Sequence, residues 1–202
     1  MDKPTLETLG RHLQSLRQAR GLSLSQLAAD AGIAKSNLSR LEQGCGNPTL
    51  DTIWRLSLQL NVPFGDLIAP VNVPVGDHGV MVRLIDQGGD QPAVDAYWMS
   101  CAPFTERRAE AHAAGTVESI TLIRGQLEVG TASNLRVLHA GESHRFAADE
   151  AHLYRTGERW ATALLTIAYQ TTAMAGAGRN AATVLPTETT STTTTSTTGA
   201  SD

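Results

Sequence analysis

The spacing of hydrophobic positions changes near residue 80. Before it, leucines and isoleucines recur every three or four residues. After it, apolar and polar residues alternate in short runs. Leu6, Leu9, Leu13 and Leu16 predict a helix from about residue 5 to 20, with Arg11, Arg17 and Arg20 on other faces and Gly21 as its stop. Ser23 has the chemistry of an N-cap, and Gln26 three residues on makes a capping box. Leu24, Leu27, Ala28 and Ala31 form the inner stripe of a second helix. Gly32 stands where the turn after it needs positive φ. Ile33, Leu38 and Leu41 give a third helix its buried side. After a loop at 44–48, Thr49 can cap a fourth helix bearing Leu50, Ile53, Leu56 and Leu60. Pro63 starts a short fifth with Phe64, Leu67 and Ile68. Residues 1–68 therefore read as a five-helix all-α domain. Its second and third helices form a helix-turn-helix.

Residues 69–80 carry two prolines and two glycines without periodicity and read as a semi-rigid linker. From there, alternating runs at 80–85, 94–101, 118–123, 127–130, 135–138, 143–146, 152–155 and 161–169 predict short strands, with Gly88-Gly89, Gly125, Gly141 and Gly157 at turns. Many short strands at regular spacing indicate an antiparallel sandwich or barrel, placed at residues 81–172. Residues 173–202 contain a Thr- and Ser-rich run with little apolar side chain to offset the entropy of ordering. They read as a disordered tail with no assignable chemistry.

Composition narrows this picture. In 202 residues only Cys45 and Cys101 are cysteines, far apart and without metal spacing, which excludes a disulfide framework and makes the reducing cytoplasm the expected location. No apolar run approaches the ~18 residues of a membrane span, and no signal-peptide pattern is present. Net charge is −4, which argues against a general nucleic-acid coat. Residues 1–70 hold seven Lys/Arg against six Asp/Glu, and residues 71–202 hold nine against fourteen. A near-neutral half joined to an acidic one fits a DNA reader fused to a domain that does not touch DNA.

Gly-Leu-Ser at 21–23, Leu27-Ala28, Gly32, Leu38-Ser39-Arg40-Leu41-Glu42, Gly44 and Asn47-Pro48-Thr49-Leu50 resemble the Cro and phage-repressor (XRE) helix-turn-helix family over roughly residues 6–68. The resemblance implies a recognition helix entering the major groove of double-stranded DNA. Lys35, Ser36, Ser39 and Arg40 share its outward face. Arg40 is suited to fork onto guanine O6 and N7, and Lys35 to reach guanine or phosphate. Asn37 and Asn47 are expected at phosphate or backbone, and Ser23 is counted among the DNA-binding residues. The alternative for any of these is a polar side chain that only solvates an exposed helix. The resemblance also implies a buried ion pair between Arg17 and Glu42. Two positions depart from the family. Leu24 replaces a phosphate-contacting Gln, and Ala34 replaces the Ser or Thr that caps the recognition helix. Both weaken phosphate anchoring, so a homodimer on an inverted-repeat operator is expected.

The second half resembles a cupin, a double-stranded β-helix barrel. Glu110-Ala111-His112, Glu118 and Gly125 resemble its first motif. Gly141-Glu142-Ser143, Phe146 and His152 to Thr156 resemble its second. Glu110 stands where the family's first His would be, and Thr156 where its terminal Asn would be. The resemblance maps an effector pocket or metal site to Glu110, His112, Glu118 and His152. The favoured expectation is a metal-free pocket that binds an unknown small molecule; the minority expectation is a divalent Zn, Mn, Fe or Ni. Tyr97, Trp98, Tyr154 and Trp160 are candidates for lining such a pocket or for plain core. Arg107, Arg124, Arg145 and Arg155 are candidates for an anionic effector. His139 and His144 are expected at the surface. Together these features predict a non-enzymatic DNA-binding transcriptional regulator with a ligand-sensing cupin. The alternative is a metal-dependent cupin enzyme, a dioxygenase or isomerase, with an accessory helix-turn-helix.

Overall fold

The computed structural model describes residues 1–71, 73–88 and 92–170. Five helices come first: α1 (Lys3–Ala19), α2 (Leu24–Asp30), α3 (Lys35–Glu42), α4 (Leu50–Leu60) and α5 (Phe64–Ile68). Their ends follow local chemistry. Asp2 accepts a hydrogen bond from the Thr5 amide at the start of α1. Ser23 and Gln26 close a reciprocal capping box on α2, at 3.2 and 2.9 Å. Thr49 Oγ1 accepts from the Thr52 amide to start α4. Gly32, at φ +63°, makes the turn between α2 and α3. Gly10 permits close packing of α1 on α3: an added Cβ would collide with the Leu41 and Glu42 carbonyl oxygens. Leu9, Leu13, Leu27, Leu38, Ile53, Leu56 and Leu60 fill the helical core. Arg17 donates from Nε and Nη2 to the two oxygens of Glu42 at 2.6 and 2.8 Å, and from Nη1 to the Leu22 carbonyl at 2.8 Å. This ties α1 to the end of α3 in the interior.

Ten strands follow: β1 (Val75–Asp77), β2 (Val80–Gly88), β3 (Ala93–Cys101), β4 (Glu106–Ala109), β5 (Val117–Arg124), β6 (Gln126–Thr131), β7 (Arg136–His139), β8 (Ser143–Ala147), β9 (His152–Arg155) and β10 (Ala161–Tyr169). They form a six-stranded sheet, β1-β2-β3-β10-β5-β8, and a four-stranded sheet, β4-β9-β6-β7. Every pairing is antiparallel. The result is the all-β cupin architecture, built as two sheets that are not joined into one closed ladder. Strict alternation along β10, buried at every odd position from Ala161 to Tyr169, shows how the pattern sets the inner face.

Two strands lie where the sequence pattern is silent. β1 falls inside the stretch expected to be linker and pairs with β2, Val75 opposite Val82. β4 alternates charged residues outward with Arg107 and Ala109 inward, so an inward arginine hides its period. The expected tail at 173–202 lies outside the described residues. Among the described residues, no helix is long and apolar enough to cross a membrane.

The two halves share one continuous hydrophobic core. α4 and α5 pack against the open end of the cupin. Asp95 on β3 accepts at Oδ2 from the Gly65 amide of α5 (3.0 Å) and from the Tyr97 and Tyr169 hydroxyls (2.9 Å each). Gln87 Nε2 donates to Asp66 Oδ1 at 2.9 Å. Gly65 is required there, because a Cβ would meet the Asp95 carboxylate at 2.5 Å.

Candidate DNA-reading helix and cupin cavity

α3 turns Leu38, Leu41 and Glu42 inward, which leaves its opposite face to solvent. Lys35, Ser36, Asn37 and Arg40 are exposed and Ser39 is half-buried. Arg40 Nη2 donates to the Cys45 carbonyl at 3.3 Å, a long and exposed hydrogen bond. Ser39 Oγ accepts from Gln43 at 3.0 Å. Ala34 occupies the N-cap without any side-chain hydrogen bond. Asn47 is exposed in the loop that follows α3, and Ser23 is exposed but spends its hydroxyl on the α2 cap. Cys45 is also exposed, beside this helix.

In the cupin, three of the four expected site residues meet. His112 follows β4 and is positioned by its amide, which donates to the Ala148 carbonyl at 2.8 Å. Glu118 comes from β5 and His152 from β9. His112 Nε2 lies 2.9 Å and His152 Nε2 3.6 Å from Glu118 Oε1, and the Tyr154 hydroxyl donates to Glu118 Oε2. All are buried. Glu110 is not part of this group. It is exposed and pairs with Arg55 of α4, with Arg55 Nε donating to Oε2 at 3.0 Å. Thr156 is also structural: its hydroxyl donates to the Ala102 carbonyl and accepts from the Thr105 amide.

Charge in the group is set by competition between burial and pairing. Burial pulls the His112 pKa below its ordinary value, and Glu118 only partly reverses this. Burial also disfavours charge on His152, but there the Glu118 carboxylate wins and the pKa is raised. Burial pushes Glu118 upward, yet the two imidazoles hold it well below the usual carboxylate range. The arrangement therefore favours charge on Glu118 and His152 and disfavours it on His112.

The same three residues fit a divalent metal. One donor atom from each lies within 4.8 Å of the others. His152 Nδ1 is 2.8 Å from the Glu150 carbonyl, which fixes the proton there, and its buried Nε2 has no hydrogen-bond partner. Two imidazoles and a carboxylate suit Zn, Mn, Fe or Ni. A bound metal would supply a Lewis-acidic centre with open positions. The chain's own contribution is to hold the three donors together in a buried site.

A cavity of about 30 Å³ adjoins the group, lined among others by Leu50, Trp54, Tyr97, Arg107, His112 and Tyr154. Tyr97 and Tyr154 thus face the cavity, whereas Trp98 and Trp160 are exposed. Arg107 is the buried arginine of the four candidates; it donates to Asp51 of α4 at 2.6 Å and to Asp77 at 3.4 Å. Arg155 instead joins Glu106 and Glu128 outside. Cys101 is buried and its thiol is pushed up to about 12 by burial, so it acts as a small hydrophobe. His139 is exposed, but His144 is not at the surface: it is buried against Phe146 and its Nε2 lies 2.8 Å from the Asn134 carbonyl.

The sequence pattern gave no role to Asp51, Trp54 and Arg55. Trp54 stacks on His112 with ring centroids 3.6 Å apart and 13° between planes. Its signal is a large aromatic beside, rather than on, the Leu50/Ile53/Leu56/Leu60 stripe. A helix with apolar residues on two faces has two partners.

Comparison with known proteins follows this division. A helix-turn-helix family profile matches residues 13–67. The HTH-type transcriptional regulator SutR of Escherichia coli is 33% identical over 156 residues, covering 74% of this chain and 87% of SutR. The crystal structure of an HTH_3 family transcriptional regulator from Vibrio cholerae superposes with a TM-score of 0.75 at 24% identity, covering 85% of this chain and all of that one, and shares the fold. The cupin domain of an XRE family transcriptional regulator from Enterobacter cloacae aligns over 46% of this chain and 99% of its own, with 26% identity and a TM-score of 0.43.

Proposed function

Because the chain belongs to the XRE-type helix-turn-helix transcriptional regulators, with a cupin as its second domain, we propose that it reads an operator through Lys35, Ser36, Asn37, Ser39 and Arg40 and that its cupin cavity senses a small molecule. The observation that carries the first part is the exposed polar face of α3 on a helix whose inner side is locked by the Arg17–Glu42 pair. Arg40 and Lys35 contact base edges, and Asn47 contacts the backbone. The uncapped N-terminus at Ala34 and the capping role of Ser23 leave phosphate anchoring weak. The protein therefore acts as a homodimer on an inverted repeat. Met81, Trp98 and Ile123 expose apolar side chains on the outer face of the large sheet, which is where a second copy would cover them. It works in the cytoplasm and is not an enzyme.

Selection of a binding sequence from a random DNA pool tests this reading. The expected result is tight binding by the wild type, a steep fall with salt, and a loss of about 1–3 kcal/mol with relaxed specificity for Arg40→Ala. Equal affinity of Arg40→Ala for selected and random DNA, matching that of the wild type, overturns it. A second reading, a metal-dependent cupin enzyme, is favoured by the orphaned His152 Nε2 beside Glu118. Metal-dependent turnover lost in His112→Ala would establish it.

A further inference from the structure

We propose that the effector is a small aromatic carboxylic acid, and that its site is the cupin mouth now filled by Asp51 and Trp54 of the DNA-binding domain. This rests on the reading that the cupin cavity takes an effector. The cavity, at about 30 Å³, has room for only about two water molecules. Small-molecule sites are about tenfold larger, so something must move. The sheet walls are held by antiparallel ladders, one of them interrupted by a register shift at Thr162/Ala163. The remaining wall is α4 with Phe64 of α5; α4 is held by side-chain contacts, Asp51 to Arg107, Arg55 to Glu110, and Trp54 on His112, and α5 by the Gly65 amide on Asp95.

Those contacts also specify what replaces them. Asp51 and Trp54 are three apart, so they leave one face of α4 together. They place a carboxylate on a guanidinium 5% exposed and an indole flat on a buried imidazole. α4 thus presents a tethered aromatic acid to the cupin. Withdrawal of α4 uncovers the Arg107 fork, the His112 ring face, and the apolar walls of Tyr97, Met99 and Leu165. A planar body with one carboxylate satisfies all three, because the fork geometry of arginine matches a carboxylate and the ring takes the place of the indole. Asp77 stays on Nη1 of Arg107 at 3.4 Å, and withdrawal of Asp51 frees Nη2 for the ligand. The consequence is competition: acid bound in the cupin and α4 docked on it exclude each other. Binding of the acid then changes how the recognition helix is held.

Calorimetric titration of the full chain with indole-3-propionate, and with indole-3-propionamide as its neutral counterpart, tests this in three proteins: wild type, Trp54→Ala and Asp51→Asn. The acid should bind about tenfold or more tightly to Trp54→Ala than to the wild type, because the competing indole no longer reduces the binding-competent fraction. Asp51→Asn should also tighten the acid, with the acid binding more tightly than the amide in every protein; this substitution guards against misfolding of the tryptophan variant. Equal affinity of the acid for all three proteins, equal affinity of acid and amide, or no binding to any of them overturns the proposal. Operator binding measured in parallel separates the two readings. Selective DNA binding without acid binding overturns this inference alone, whereas absence of selective DNA binding overturns the regulator reading itself.

Discussion

Arg17→Ala tests the joint between α1 and the recognition helix. Arg17 and Glu42 side chains are 11% and 5% exposed, and the arginine makes three hydrogen bonds, two to Glu42 and one to the Leu22 carbonyl. Truncation removes all three and strands the Glu42 carboxylate in the interior without its partner. Loss of one partner of a buried pair is destabilising by about 3–5 kcal/mol. We take about 3 kcal/mol, because both groups retain some contact with solvent. In a helical domain of this size each kcal/mol lowers Tm by about 4–8 °C, and by about 2–4 °C when a unit of 150 residues or more melts together. The shared core predicts the second regime, so Arg17→Ala should melt about 6–12 °C below wild type. Circular dichroism melts and urea unfolding measure this. The double variant Arg17→Met/Glu42→Leu, which removes both charges, should recover most of the loss. A melting temperature for Arg17→Ala within about 1 °C of wild type refutes the argument that the pair is buried and uncompensated once broken.

Three further outcomes follow from the geometry. Titration with Zn, Mn, Fe or Ni raises Tm if the His112–Glu118–His152 group binds metal, by the equivalent of about 2.7 kcal/mol at a hundredfold excess over Kd; His152→Ala removes the rise, and no rise with any of the four refutes a metal site. Ala34→Ser supplies the missing cap of α3 and should add about 0.5–1 kcal/mol in urea unfolding; no gain would mean that the α3 amides are already satisfied. Burial raises the Asp95 pKa above its ordinary 3.8, with hydrogen bonds from Tyr169, Tyr97, Gly65 and Gln87 opposing. The fold therefore favours the protonated form. That contribution is present below pH 3.8 and is lost as pH rises through the folded-state pKa. Against Asp95→Asn, wild type should lose relative stability as pH rises through that window and then level off; a pH-independent difference refutes it.

The helices were legible because their periodicity and end chemistry coincide: Ser23 and Gln26, Gly32 and Thr49 each act where the pattern places them. The eight expected strands are also present. β1 and β4 were not legible, one because its Pro- and Gly-rich surroundings read as linker, the other because Arg107 points inward. Arg107 is stabilised there by Asp51, fifty-six residues away, a partner that no local pattern reveals. The same holds at the cupin site. His112, Glu118 and His152 converge as motif spacing suggests, but Glu110 is drawn away by Arg55, which belongs to the other half of the chain. His144 misled for the same reason, its buried position depending on a carbonyl across the strand connection.

α4 packs on both halves of the chain. Its Leu50, Ile53 and Leu56 stripe is fixed in the helical core that positions α3. Asp51, Trp54 and Arg55, on the neighbouring face, are fixed on the cupin. A packed helix of eleven residues does not bend to satisfy one face without the other. Any event that expels Trp54 from the cupin mouth must therefore move α4 as a body or break its contacts with the helical core. The core contacts are apolar and almost fully buried. On the cupin side the Arg55–Glu110 pair is largely exposed and contributes little, so the contacts that resist withdrawal there are Asp51–Arg107, Trp54 on His112 and the Gly65–Asp95 hydrogen bond of α5. On the proposed regulator reading, such an event moves the helix-turn-helix as an intact unit, with the Arg17–Glu42 lock unbroken, and changes its orientation relative to the second copy that reading requires.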